Sequence, residues 1–264
     1  MKKMSLFLGG LIISASAYAH TQYLYTDKLD ISGMKEVKMK VLFGHPGEGN
    51  EEGAVSVGTV DGKTMPIKKF FVVHNGEMKD LTKKVKEGMI TTDHNKGKTA
   101  DYIFTPEDGL KGRGTWIFVS VPSAAKDEGY TFNGVQKLIL TKDGAGNEWH
   151  ERVAAGYPEI VPLTNPAEAW KENVFRGILI GSDNKPVANA RIDIDSLEAD
   201  INLKKDIYKG KVPREKSAMT IFADNNGVFS FSVPHEGIWT IRGIVSKDKE
   251  KQIVNDTSLV VQFK

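Results

Sequence analysis

The chain has no cysteine in its 264 residues. That excludes a disulfide framework, thiolate-rich zinc and iron–sulfur sites, and a cysteine-borne lipid anchor. Any metal site must therefore use histidine, carboxylate or backbone donors. Charge of one sign is also missing: 36 Lys+Arg stand against 34 Asp+Glu, and no basic stripe marks a nucleic-acid surface, so no nucleic-acid partner is expected. There is no HExxH, GxSxG, P-loop or GxGxxG, and no Ser/His/Asp spacing singles out a triad. Binding without turnover is the expectation, and the chain is read as no enzyme. Beyond the first residues no apolar run is long enough to cross a bilayer, so the mature protein is not expected to span a membrane.

What is present begins with a leader. Met1-Lys2-Lys3 is basic, Leu6 to Ile13 is apolar, and Ala17-Tyr18-Ala19 fits a small-x-small cleavage site. Residues 1–19 therefore read as a signal peptide that delivers the mature chain, beginning at His20, to the periplasm. Losing Lys2 and Lys3 lowers the 36 basic residues to match the 34 acidic ones, so the mature net charge is near zero.

Period-two apolar runs dominate the rest. They include Val37–Phe43, Phe70–His74, Tyr102–Thr105, Trp116–Val121, Leu138–Thr141, Val174–Ile180, Ala190–Ile194, Ala218–Ala223, Val228–Val233 and Ile238–Val245. Turn signals separate them at Asp61-Gly62, Asn75-Gly76, Asn133-Gly134, Asp143-Gly144 and Asn226-Gly227. Many short strands at such spacing predict an all-β chain of two β-sandwich domains, residues 20–164 and 165–264. Asn165 as a cap, Pro166 at the first helical position and Glu168 three beyond the cap predict a short helix through Glu172 at the boundary. Met78–Lys86 reads as a short helix or a lysine-rich hairpin, and Leu197–Ser217 as a polar, exposed loop. In the second domain, Asn184-Lys185-Pro186-Val187 and Asp224-Asn225-Asn226-Gly227 frame strands whose Phe229, Phe231 and Trp239 alternate onto an inner face. This layout resembles the carboxypeptidase-regulatory, transthyretin-like sandwich.

Six histidines are the candidate donors. Cleavage after Ala19 would give His20 a free α-amine beside its imidazole. With reference pKa values of about 7.7–8.0 and 6.5, both offer lone pairs near neutral pH and close a chelate ring on one residue. Such nitrogen donors suit Ni(II) or Cu(II). The alternative is a leader that merely ends before a histidine. The amino-terminal motif with histidine at the third position is absent, since Gln22 stands there. His45, in Phe43-Gly44-His45-Pro46-Gly47, ends a strand between glycines and reads as a second donor or as a histidine satisfied by a carbonyl. His74 precedes the Asn75-Gly76 turn as a hairpin shoulder. His94 lies among lysines, His150 beside Glu151, and His235 in a turn.

The order of these features resembles the periplasmic NikK/NikM-type family, a domain of unknown function found with energy-coupling-factor importers. The residues that carry the resemblance are the Ala19-His20 boundary, Phe43-Gly44-His45-Pro46-Gly47-Glu48-Gly49, Val72-Val73-His74-Asn75-Gly76, Ile160-Val161-Pro162-Leu163-Thr164-Asn165-Pro166 and Glu172-Asn173-Val174-Phe175-Arg176-Gly177. The resemblance implies that His20, His45 and His74 are metal residues, that Ni(II) or Co(II) is bound cargo, and that a membrane permease is the partner. The stretch Lys137–Arg152 departs from the family pattern. Two other readings of the chain stand beside this one: a copper protein or oxidative enzyme with an amino-terminal histidine brace, and a metal-free structural or carbohydrate-binding sandwich.

Overall fold

The computed structural model describes residues 21–44, 59–60, 63–64, 66–91, 96–127, 130–197, 199–210 and 218–264. The expected signal peptide, residues 1–19, and His20, His45, Asp61-Gly62 and His94 lie outside the described residues. In chain order the strands are β1 (Thr21–Tyr25), β2 (Val37–Gly44), β3 (Thr59–Val60), β4 (Lys63–Thr64), β5 (Ile67–His74), β6 (Glu77–Asp80) and β7 (Lys86–Thr91). Next come β8 (Lys96–Phe104), β9 (Gly114–Pro122), β10 (Ala125–Asp127), β11 (Tyr130–Lys142), β12 (Glu159–Pro162) and β13 (Phe175–Ile180). The last are β14 (Arg191–Ser196), β15 (Ala199–Asn202), β16 (Ile207–Gly210), β17 (Ala218–Phe222), β18 (Val228–Phe231), β19 (Gly237–Asp248) and β20 (Ile253–Phe263). Among the described residues there is no α-helix, and no helix long and apolar enough to cross a membrane. The chain is all-β and of sandwich type.

A central nine-stranded sheet runs β17-β14-β19-β20-β11-β9-β5-β6, with β10 on β11. A six-stranded sheet, β1-β2-β8-β7-β16-β15, covers one of its faces, and a three-stranded sheet, β12-β13-β18, covers the other. Because side chains alternate along a strand, the central strands feed two cores at once. Phe70, Val72, Trp116, Phe118, Leu138, Leu140 and Val260 point into the first core. Their chain neighbours Phe71, Val73, Ile117, Val119, Ile139, Leu259 and Val261 point into the second. This double burial is why these strands read as continuous apolar runs.

The two sandwiches therefore share a wall. A cut at 164/165, where the sequence suggests a domain boundary, would part β12 from its antiparallel partner β13 and β11 from its parallel partner β20. The Asn133-Gly134 turn signal also resolves differently, lying inside the thirteen-residue β11. Its register to β20, Asn133↔Asn255 and Gly134↔Asp256, holds it extended. No neighbouring sequence could reveal a partner so far along the chain.

Three further expectations are corrected. The predicted helix after Asn165 is a single 3-10 turn, Pro166–Glu168, whose cap Asn165 Oδ1 accepts from the Ala167 N–H at 3.0 Å. Beyond it the backbone bonds to distant segments instead of coiling. Lys171 N–H donates to Lys264 O, Glu172 N–H to Val233 O, and Lys264 N–H to Ala169 O. The expected exposed loop 197–217 contains the β15–β16 hairpin. It joins the six-stranded sheet through β7, and Leu203 and Tyr208 are buried in the first core. Residues 211–217 lie outside the described residues. Met78–Lys86 is neither a helix nor a hairpin of its own: it holds the end of β6, which pairs with β5 through a turn with Asn75 at φ 50° and Gly76 at φ 74°, then a 3-10 turn at Thr82–Lys84 and the start of β7.

Candidate functional site

The described part of the chain begins with a firmly seated strand of the first sandwich. All five residues of β1 are buried. Its ladder with β2 runs from Thr21↔Gly44 to Tyr25↔Lys40. Thr21 directly follows His20 in sequence and Gly44 directly precedes His45, so the described residue next to each candidate donor opposes the other across one rung. Gln22 ties this corner to the central sheet. Its side-chain oxygen accepts from Gln136 Nε2 at 3.1 Å, and its carbonyl accepts from Ser258 Oγ at 2.6 Å. Gly134 sits close against this corner. A Cβ at that position would stand 2.5 Å from Gln22 Oε1 and 3.0 Å from Asp256 Oδ1.

Behind Gln22 lies a buried charge pair. Arg242 donates to Asp256 Oδ2 through Nε at 2.6 Å and approaches it with Nη2 at 2.5 Å, with both residues almost fully buried. Burial pushes the Asp256 carboxyl above its usual range, and the guanidinium pulls against that shift. A second buried pair, Lys137 with Glu159 at 2.5 Å, faces the three-stranded sheet. Glu159 also accepts the Val153 and Ala154 N–H groups, and Lys137 donates to Glu151 O. This pair fastens the 151–159 segment, and burial lowers the Lys137 pKa against the pull of Glu159.

A third cluster surrounds Lys40, a residue that alternation alone would place in solvent. Its ammonium is fully buried and donates to Met89 O at 3.0 Å and Thr99 Oγ1 at 3.3 Å, with Asp101 and Asp206 as counter-charges. Lys38 also reaches Asp206, at 2.6 Å. Burial would raise the Asp206 pKa, but the two lysines outweigh it and hold the carboxyl below its ordinary value. No sequence signal marks these buried ions. They become visible only once the neighbouring strands are placed.

His74 is half-buried with both ring nitrogens engaged. Its ring stacks on Trp116, with centroids 4.1 Å apart and planes at 8°. Nδ1–H donates to Thr115 O at 2.8 Å, and Nε2 accepts from Asn75 Nδ2 at 3.0 Å. These contacts make it a fixed hairpin shoulder. His150 is exposed in the 3-10 turn Glu148–His150. His235 donates from Nδ1 to Glu236 O at 2.9 Å, beside the Trp239 ring. Among the described residues, no group of three His, Asp or Glu side chains is placed to hold a metal ion.

The fold is thus a pair of β-sandwiches built on one common sheet, with β1 buried inside. The chain belongs to the family described as Domain of unknown function (DUF4198), whose profile matches residues 17–246. No curated protein matches it in sequence. Among solved structures, the adhesin InvE of Yersinia pseudotuberculosis is 11% identical and aligns over 93% of this chain and 59% of its own, with a TM-score of 0.25. The native alpha-2-macroglobulin of E. coli is 8% identical over 94% of this chain and 14% of its own, with a TM-score of 0.23. Red sea bream transglutaminase is 9% identical over 94% and 32%, with a TM-score of 0.24. The chain spans less than two thirds of each of these proteins, and TM-scores so low carry nothing across.

Proposed function

We propose that the mature chain is a periplasmic metal-binding component that captures Ni(II) or Co(II) and delivers the ion to a membrane transporter. It would work by capture and release, not by turnover. The reading assigns two nitrogens to His20, its α-amine and its imidazole, and a third donor to His45. The open positions around such a donor set would allow exchange with the receiving permease.

The observation that supports it is the Thr21↔Gly44 rung. Antiparallel partners lie about 4.5–5.5 Å apart at Cα, and a trans peptide spans about 3.8 Å on each side. Connectivity alone therefore bounds the Cα separation of residues 20 and 45 at about 13 Å. The burial of β1 and the Gln22 anchors add support, because a terminus seated before the ion arrives loses less entropy on binding. His74 is not counted among the donors here, since Trp116, Thr115 and Asn75 already hold its ring.

Calorimetric titration of correctly processed protein with Ni(II), Co(II) and Cu(II) tests the reading. Retaining one residue before His20 should abolish tight binding by moving the free amine away from the imidazole. His45→Ala should weaken binding without unfolding the sandwich, and His74→Ala should titrate like the parent. If the first two variants bind Ni(II) as the parent does, the assignment fails. Cu(II) binding with oxidant-dependent turnover would replace it with the copper reading.

A further inference from the structure

We propose that one end of the second sandwich carries a saccharide-binding groove, independent of the metal reading. A half-open cleft of about 400 Å³ lies along the ends of β11, β20, β19, β9 and β5, walled by Tyr157 and Pro158. That volume falls in the range of about 300–1,000 Å³ where small-molecule sites occur.

Three observations mark the cleft as built for a ligand. The first is strand irregularity. Among the described ladders, register shifts occur between Ile244 and Ser246 in β19 and between Ile67 and Lys69 in β5. The residues inserted there, Val245 and Lys68, both line this cleft. Bulges re-aim side chains and concentrate beside functional sites. Here the β19 bulge brings Ser246 opposite Asn255.

The second is a polar run laid across the cleft floor. Asn133 Nδ2 donates to Asn255 Oδ1 at 3.1 Å, and Asn255 Nδ2 donates to Ser246 Oγ at 2.8 Å. The run ends in an acceptor, Asn133 Oδ1, and in the Ser246 hydroxyl hydrogen. Paired sugar hydroxyls both donate and accept, so they match such a run end to end. The third is its position. Asparagine is depleted in strands, yet Asn133 and Asn255 sit side by side within two neighbouring ones. The adjacent Gly134 is set against Gln22, whereas the described side-chain contacts of the asparagines are the hydrogen bonds of this polar run. Residues that break a local rule are expected chiefly at functional or strained sites.

The remaining lining fits the same class of ligand. Val121 and Val135 supply an aliphatic floor, and half-buried Tyr157, which packs on the second core with Lys69 Nζ 5.9 Å from its ring centroid, walls one side. Exposed Lys68 contributes a donor at the rim.

The test titrates ¹⁵N-labelled mature protein separately with maltotriose, cellotriose and triacetylchitotriose. At least one should give saturable shifts in the Asn133 and Asn255 side-chain amides. Removing one hydrogen-bonding amide by Asn255→Ala should weaken that binding about tenfold. Tyr157→Ala, which leaves the ladder intact, decides the matter if Asn255→Ala fails to fold. The proposal is overturned if none of the three sugars shifts these amides saturably, or if the folded variants bind as tightly as the parent. The metal titration reads different residues, so failure of one proposal leaves the other standing.

Discussion

Tyr23 and Tyr208, 185 residues apart in sequence, meet hydroxyl to hydroxyl at 3.1 Å, with both rings buried. Burial raises the pKa of both phenols, that of Tyr208 up to about 12, so the contact is between neutral hydroxyls at any physiological pH. It joins β1 to the β15–β16 hairpin, and so reports whether that hairpin is docked.

Removing one hydroxyl orphans the other in an apolar site. Tyr23→Phe and Tyr208→Phe should each cost about 1–2 kcal/mol, and the double variant less than their sum. Urea unfolding of the four proteins checks this; strictly additive losses would mean that the hydroxyls do not interact.

The Lys137–Glu159 pair should be asymmetric in the same sense. Lys137→Ala or Glu159→Ala leaves an uncompensated buried charge and should cost about 3–5 kcal/mol. Lys137→Met combined with Glu159→Leu removes both charges and should cost much less. A single variant with near-parental stability would show that the pair is not holding the 151–159 segment.

Two glycines with the same backbone sign should differ sharply on substitution. Gly227 has φ 73°, and a Cβ there would meet Leu179 O at 2.9 Å and Val187 N at 3.0 Å. Gly76 has φ 74° with nothing within 4 Å. Gly76→Ala should cost only the left-handed strain, about 1 kcal/mol, whereas Gly227→Ala adds a backbone clash and should exceed about 2 kcal/mol. Thermal melts of the two variants rank them directly.

Asp206 gives a pH prediction with a definite sign. Its folded pKa lies below the unfolded value because Lys38 and Lys40 outweigh the effect of burial. Its contribution is therefore present above the unfolded carboxylate pKa, about 3.9, and is lost as pH falls through the depressed folded value. Asp206→Asn should be less stable than the parent near neutrality, and the gap should close as acid is added. A gap that stays constant from pH 7 to about pH 2 would contradict the lowered pKa.

Much of the fold is legible because β structure announces itself locally. Val37–Phe43, Trp116–Val121 and Val228–Val233 show the alternation or apolar density of strands, and Asn75-Gly76 and Asn226-Gly227 supply their turns. Phe229, Phe231 and Trp239 face inward as their spacing implies. The Phe70–Val73 run carried a further signal, since consecutive apolar residues within a strand imply burial on both faces. What misleads is always a contact distant in sequence. Asn133-Gly134 is a turn by composition and a strand by virtue of β20. Leu197–Ser217 is loop-like by polarity, yet it docks through Leu203 and Tyr208. Of His20, His45 and His74, only His74 lies among the described residues, and its stacking on Trp116 across the β5–β9 ladder had no trace in spacing.

By itself the amino-acid order determined that this chain is all-β, where most strands run, and which residues could donate to a metal. Those properties follow from periodicity and side-chain chemistry, which act between near neighbours. Only the tertiary structure decided that two sandwiches share one sheet, that Lys40, Lys137 and Arg242 are buried against carboxylates, and that Thr21 and Gly44 form a rung. Each of those facts depends on hydrogen bonds or ion pairs between segments far apart in sequence, and no local pattern encodes which distant segments will meet.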